Sequence, residues 1–279
     1  MINKFIFFAF LSCFSAFSQQ KITGIITDSL NNPIAYANIG IASSSFGTVS
    51  DSNGNFSFEI QNYNPNDTLR ISSLGFKTKD LFFKNITQNL NLEIKLAEEV
   101  TILEELKLLT GNLKLHTEGK TKTDTKNHVI FANSKMANLN LGTEIGRRFD
   151  LGSKKPSLLT EFKFYIKENN FEFNQFKINI YSIKSNKPNQ LLNTENIYIS
   201  TTKDYVGWIN IILEDYNIIV EEDVIVSVQW IKHSNDGNTL NLPVIFPSLG
   251  STHYYKFGSQ NTWEKYGKVS SAMVLSYKQ

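Results

Sequence analysis

Residues 21–83 read KITGIITDSLNNPIAYANIGIASSSFGTVSDSNGNFSFEIQNYNPNDTLRISSLGFKTKDLFF, and this stretch decides the fold. Ile22, Gly24 and Ile26 alternate with Thr23, Ile25 and Thr27, the period of an extended strand. Asp28-Ser29-Leu30-Asn31-Asn32-Pro33 is turn chemistry, because Asn and Asp tolerate left-handed φ and Pro fixes the exit. Ile34–Ile41 predicts a second strand, Ser43-Ser44-Ser45 a small-residue loop, and Gly47–Ser50 a short third strand. Asp51-Ser52-Asn53-Gly54 predicts a hairpin turn, since Asn-Gly supplies the positive φ values that a primed turn requires. Phe56, Phe58 and Ile60 then alternate with Ser57 and Glu59 as a half-buried strand. Asn64-Pro65-Asn66-Asp67 turns the chain again, and Leu69–Ser73, Lys77–Phe83 and Leu90–Leu96 supply further strands. Regularly spaced short strands with no helical period predict an all-β sandwich.

The succession Gly24, Asp28, Pro33-Ile34 and Ala37-Asn38-Ile39, then Gly47-Thr48, Asp51 and Gly54-Asn55-Phe56, then Asp67-Thr68-Leu69, Ile71-Ser72 and Gly75-Phe76, resembles the carboxypeptidase-regulatory-like domain family. The resemblance covers residues 20–100 and implies a transthyretin-like sandwich of about seven strands. It also implies an accessory module of an exported bacterial protein, because the catalytic unit of the associated metallocarboxypeptidases is a separate domain. The stretch Leu96–Gly111 is similar to the segment that joins this domain to the plug of outer-membrane receptors. Too few residues follow for a plug and barrel, so transport is not expected.

Upstream, residues 1–18 predict an export signal. Lys4 supplies the positive start, Phe5–Leu11 the apolar run, and Ala16-Phe17-Ser18 a small-residue cleavage site. The run is too short for a spanning helix, which needs about 20 apolar residues, so no retained transmembrane helix is expected. Leu11-Ser12-Cys13 offers lipidation as the alternative to simple cleavage after Ser18. Cys13 is the single cysteine, so a chain cleaved after Ser18 has no disulfide and relies on its cores. The net charge of +2 falls to +1 once Lys4 is removed, which argues against nucleic acid as a partner.

Beyond the first sandwich, residues 101–128 read as a connecting strand and a polar linker. Lys114, Lys120, Lys122 and Lys126 stand there among Thr, Gly and Asp. Residues 129–279 predict a second, larger sandwich, jelly-roll-like. Leu159–Ile166 and Phe176–Tyr181 alternate, while Gly207–Leu213 and Asp223–Trp230 have the β-branched and aromatic content of central strands. Asn186-Lys187-Pro188-Asn189 and Asn235-Asp236-Gly237-Asn238 punctuate them.

The chemistry-bearing residues form no catalytic pattern. His116, His128, His233 and His253 lie in no HExxH or HxxE pairing, so no metal and no cofactor are expected. Asp51–Asn55 has the oxygen spacing that opens a calcium loop, but Asn62 stands where the bidentate Glu should be. No G-x-S-x-G elbow occurs. Glu221-Glu222-Asp223 reads as a solvated turn. The aromatic residues Tyr254, Tyr255, Trp263 and Tyr266 lie among Gly, Ser, Asn and Gln, and they are the candidate ligand-binding platform. The sequence therefore predicts a non-catalytic binding or scaffolding protein of the cell envelope. It would be periplasmic, outer-membrane-associated or at the cell surface, with an envelope protein or a glycan as its partner. The alternatives are a glycan-binding accessory protein and a hydrolase of unrecognised type.

Overall fold

A computed structural model of the chain describes residues 20–60, 64–86, 90–99, 112–132, 141–152 and 155–279. The export signal read in residues 1–18, Cys13 included, and the segment 101–111 lie outside the described residues. The described residues are almost entirely strand, as the sequence predicts. None of their helices is long and apolar enough to cross a membrane.

The first sandwich has seven strands: β1 (Gln20–Thr27), β2 (Asn38–Ile41), β3 (Gly47–Val49), β4 (Asn55–Ile60), β5 (Thr68–Ser72), β6 (Lys79–Phe82) and β7 (Asn91–Lys95). One sheet runs β4-β1-β7 and the other β3-β2-β5-β6. In the first sheet β1 is antiparallel to β4 and parallel to β7. The alternating residues meet between the sheets: Ile22, Ile26, Phe56, Phe58 and Ile94 from one, Ile39, Ile41, Leu69 and Ile71 from the other. Each such side chain stabilises by about 1.5–3 kcal/mol when fully buried.

The turn at Asp51–Gly54 departs from the expected hairpin, because β3 and β4 belong to different sheets. It is a crossing between layers, closed by its own aspartate. Asp51 Oδ1 accepts the Asn53 N–H at 2.8 Å and the Asn55 N–H at 2.9 Å, which is the reach of an Asx side chain over its own backbone. Gly54 alone takes positive φ, at 76°. A Cβ there would stand 2.4 Å from the Ile26 carbonyl oxygen, so the crossing requires glycine.

The second sandwich begins earlier than the sequence suggests. The polar stretch read as a linker contributes β8 (Leu115–Gly119) and the start of β9 (Asn127–Ala132). Strand β8 pairs along β23 (Met273–Lys278), from Leu115 opposite Lys278 to Gly119 opposite Val274. It escapes periodicity because it is an edge strand with most of its length exposed, so it needs few apolar residues.

Around it stand β10 (Glu144–Phe149), β11 (Ser157–Ile166), β12 (Glu168–Asn169), β13 (Asn174–Lys184), β14 (Lys187–Leu191), β15 (Ile197–Thr201), β16 (Gly207–Ile212) and β17 (Ile219–Val220). The remainder are β18 (Val224–His233), β19 (Leu240–Ile245), β20 (Thr252–Lys256), β21 (Glu264–Gly267) and β22 (Ser270–Ser271). A seven-stranded sheet runs β14-β13-β18-β10-β20-β21, with β15 also on β13. A five-stranded sheet runs β16-β11-β23-β8, with β17 also on β11. A small sheet of β12, β19, β22 and β9 accompanies them.

The core between the two large sheets takes Phe176, Ile178, Val226, Val228 and Trp230 from one and Phe162, Phe164, Ile209, Met273 and Leu275 from the other. Arg147, on the inner face of β10, is only 1% exposed. It donates to Glu118 of β8 at 2.7 Å and to the Met273 carbonyl at 3.3 Å, and it lies over the Phe149 ring. That ion pair ties the two sheets together and holds the edge strand that sequence reading left as linker.

The two sandwiches meet along a seam of small residues. Ser259 Oγ donates to the Ile39 carbonyl at 2.7 Å, and Ser43 N–H donates to the Gln260 carbonyl at 3.0 Å. Gln260 Nε2 reaches the Asn38 carbonyl at 3.2 Å and Ser72 Oγ at 2.9 Å. Gln229 Nε2 donates to Asn38 Oδ1 at 2.6 Å, and Tyr36 packs edge-on against Tyr198. The approach is so close that a Cβ on Gly47 would lie 2.7 Å from Ser259 Oγ, and one on Gly258 would lie 2.6 Å from the Ser45 carbonyl oxygen.

Candidate functional site

Antiparallel pairing aligns a polar row across the outer face of the seven-stranded sheet. Lys177 stands opposite Tyr198 on one side and Gln229 on the other, Gln229 opposite Glu144, and Glu144 opposite Lys256. Glu144 is fully buried and is paired with Lys256 Nζ at 2.7 Å. It also accepts from Asn179 Nδ2 at 2.8 Å, from Tyr181 Oη at 3.0 Å and from Ser227 Oγ. Burial alone would push this carboxyl up. The Lys256 ammonium and the Ser227 and Asn179 donors outweigh it and hold the group below the usual range.

Lys177, 4% exposed, has no hydrogen-bond or ion-pair partner among the described residues. Burial pulls its ammonium down to about 8, with Glu144 opposing and Lys256 assisting. Asn38 of the first sandwich caps the row at Gln229, and Tyr36 covers Tyr198. This face is an internal, structural polar layer.

The outer face of the five-stranded sheet is open. A groove of about 390 Å³ lies there, lined by Thr121, Lys163, Trp208, Asn210 and Val274. Pairing sets the residues in register: Trp208 opposite Tyr165, Asn210 opposite Lys163, and Lys163 opposite Val274. Two tyrosines meet Trp208, one at its ring and one at its backbone. Tyr165 meets it edge-on at 5.5 Å between centroids, and Tyr205 folds back to donate from Oη to the Trp208 carbonyl at 2.6 Å. Lys163 pairs with Glu161, two residues before it on the same strand face, at 3.0 Å.

Thr121 comes from the stretch expected to be a solvated linker. That stretch is pinned across the sheet by Lys120 N–H on the Met273 carbonyl at 2.9 Å and by Lys167 Nζ on the Thr125 carbonyl at 2.6 Å. Sequence reading placed Trp208 in a central strand and missed this groove. The available signal was an aromatic on the polar phase of the strand, with Ile209 and Ile211 on the other.

The four rings named as a platform do not share one surface. Tyr254 is fully buried, with Oη donating to the Asn186 carbonyl at 3.1 Å. Trp263 is half-buried against Tyr254 and Tyr181, with the Lys256 ammonium 5.0 Å from its ring centre. Tyr255 packs against the core and donates to the Ile130 carbonyl at 3.3 Å. Tyr266 is exposed, beside His253 and donating to Glu264. Strand alternation therefore sends Tyr254 and Trp263 to one side of β20–β21 and Tyr255 and Tyr266 to the other.

The histidines are scattered. His116 stacks on Tyr277 and His233 on Trp230. His253 is buried against Ser271 at 3.0 Å, and burial pushes its imidazole down to about 4. Among the described residues no group of three or more His, Cys, Asp or Glu side chains is placed to hold a metal ion. Asp223, from the acidic run, is engaged by Arg148 Nη2 at 2.6 Å and by the Leu151 N–H at 3.1 Å.

No curated protein matches the chain. The clostridial cysteine protease Cwp84 after propeptide cleavage aligns at 13% identity and a TM-score of 0.39, over 87% of this chain and 65% of that one. The cysteine protease and lectin-like domains of Cwp84, a surface layer associated protein of Clostridium difficile, align at 15% identity and a TM-score of 0.35, over 50% of this chain and 32% of that one. BcpA, the major pilin subunit of Bacillus cereus, aligns at 11% and 0.21 in its D-to-A variant, over 91% of this chain and 69% of that one. The chain thus spans about a third and about two thirds of the two Cwp84 structures, and likeness at this level says nothing about what it binds. The family comparison is specific: residues 22–108 match the model described as CarboxypepD_reg-like domain, and the first sandwich is a domain of that family.

Proposed function

We propose that this is a non-catalytic exported binding or scaffolding protein of the bacterial cell envelope. In this reading the carboxypeptidase-regulatory-like domain is an accessory module locked to a larger sandwich that carries the recognition surface. The observation that carries the reading is the division of labour between the two outer faces. The seven-stranded face is closed by Asn38 and Tyr36 of the first domain, which leaves the five-stranded face, with its Trp208 groove, turned outward. The carboxylates support a non-catalytic role, since the buried Glu144 and the half-buried Asp223 are already engaged by neighbouring donors. His253 lies fully inside.

The test is retention on the immobilised chain, from residue 19 onward, of material from cross-linked, detergent-solubilised envelope, read by mass spectrometry. One reproducible partner is expected, lost with Trp208→Asp and kept with Phe82→Asp, an exposed change on the first domain. Hydrolytic turnover abolished by an exposed carboxylate change would sink the non-catalytic reading, as would retention indifferent to the Trp208 change.

A further inference from the structure

The loop between β19 and β20 reads Phe246-Pro247-Ser248-Leu249-Gly250-Ser251 and turns its apolar side chains outward. Phe246 is 63% exposed and Leu249 76% exposed, and Pro247 beside them is exposed as well. A single exposed apolar side chain needs no explanation, but three on one turn do. The serines face the other way. Ser248 and Ser251 are buried, joined through their hydroxyls at 2.9 Å and by a turn bond from the Ser251 N–H to the Ser248 carbonyl at 3.2 Å. Lys268 clamps both from the neighbouring turn. Its carbonyl accepts the Ser248 N–H at 2.8 Å, and its N–H donates to the Ser251 carbonyl at 3.0 Å. Leu249 and Gly250 form the tip, where Gly250 takes a φ of 76° and a Cβ would meet nothing within 4 Å. Polar groups thus hold the loop from within, and the apolar ones project.

Cations flank the stem. Lys126 precedes Asn127, which pairs with Val244 of β19, and Lys268 is the clamp itself. Both lysines are exposed, and neither has an ion-pair partner among the described residues. Residues 122–126 and 264–268 together carry four lysines against Asp124 and Glu264, and no Asp or Glu occurs between Asp236 and Glu264. The loop also lies at the end of β20 away from the first domain, which meets Ser259 and Gln260 beyond the other end.

We propose that this loop is an interfacial anchor that inserts Phe246 and Leu249 into the headgroup layer of an anionic lipid surface. An apolar tip flanked by cations supplies the two attractions that such binding sums, buried apolar area and charge. A projecting turn with three apolar residues is small for a stable protein partner, which buries about 1,200 Å² or more in total. A small soluble ligand would need a concave site, whereas the tip at Gly250 faces open space. The loop shares no residue with the Trp208 groove, so the binding reading above neither carries this inference nor falls with it.

The experiment sediments the chain from residue 19 onward with vesicles of phosphatidylglycerol and phosphatidylethanolamine, and with vesicles of phosphatidylcholine alone. The apolar run Phe5–Leu11 is left out because it would bind lipid by itself. Binding to the anionic vesicles is expected, about tenfold tighter than to phosphatidylcholine. Phe246→Ser and Leu249→Ser should each weaken it about tenfold, and Lys126→Gln combined with Lys268→Gln about tenfold together. Leu30→Ser removes a leucine of the first domain that is 77% exposed, and it should change nothing. Phe246→Trp should keep binding and add an emission that brominated lipid quenches, which reports insertion and not adsorption. All five positions are exposed, so these variants keep the fold. Failure to bind the anionic vesicles, equal binding to both kinds, or binding indifferent to Phe246 and Leu249 overturns the proposal. Retention of an envelope protein through these two side chains, without vesicle binding, also overturns it and makes the loop a protein contact.

Discussion

The two outer faces of the second sandwich are built from the same kind of strand and have opposite fates. On the seven-stranded face, Lys177, Gln229, Glu144 and Lys256 stand in one cross-strand row and are nearly all inaccessible. On the five-stranded face, Trp208, Lys163, Asn210 and Val274 stand in comparable register and line an open groove. A polar face that is covered must satisfy itself, whereas a mixed face that is open leaves donors and a ring for something else. The two faces differ both in what sits on top and in the side chains they present.

The strongest way to break this contrast is Glu144→Ala. It removes the single carboxylate that offsets two buried ammonium groups, so a loss of about 3–5 kcal/mol is expected in urea unfolding. A change below about 1 kcal/mol would mean that the row is solvated after all.

The second test uses pH. In the fold Lys177 holds its proton only up to about pH 8, against an ordinary value near 10.4 in an unfolded chain. Below pH 8 both states are charged and the cost of burial is fully present. Between about 8 and 10.4 the unfolded chain keeps a proton that the fold has released, so stability rises with pH, by about 3 kcal/mol at most. Lys177→Met should flatten that rise and raise stability at pH 7. A stability curve unchanged by the substitution would show that Lys177 is not the group responsible.

A third test addresses the cover itself. Gly47→Ala places a methyl 2.6 Å from the Ile39 carbonyl oxygen and 2.7 Å from Ser259 Oγ, and a cost of about 1–3 kcal/mol is expected. Faster amide exchange in β13 and β18 would accompany it if the first domain protects the row. The smallest stability effect is expected on the open face, where Trp208→Ala should cost about 1 kcal/mol while its effect on binding is larger. A stability loss matching that of Glu144→Ala would show that the indole is core.

Legibility in the sequence followed distance along the chain. The seven-stranded first domain was readable because its evidence is local: Asp28 and Asp51 turn the backbone with their own side chains, and Phe56, Phe58 and Ile60 alternate. Strand β8 was misread because Leu115-His116-Thr117-Glu118-Gly119 buries little and so shows no apolar phase. What fixes it is Arg147, 29 residues further on. The polar row was invisible for the same reason, since Glu144, Lys177, Gln229 and Lys256 come from four separate strands. Their strands carry other polar residues as well, such as Arg147 and Arg148 beside Glu144 and Asn179 beside Lys177, so nothing local marks these four as one row. The division of the four rings between two sides follows from alternation: adjacent Tyr254 and Tyr255 must point to opposite sides of their strand.

The pairing of β8 with β23 sets an order of events. Residues 115–119 cannot find their partner until residues 273–278 have been made, and β23 is also the neighbour that β11 needs along its length. The first domain closes on pairings within residues 20–95. The second waits for a strand more than 150 residues downstream of β8, a non-local closure of the slow kind. A chain made from its N-terminus onward would therefore have its first domain folded and its second unable to close, with the β23-facing edges of β8 and β11 open until Met273–Lys278 has been made.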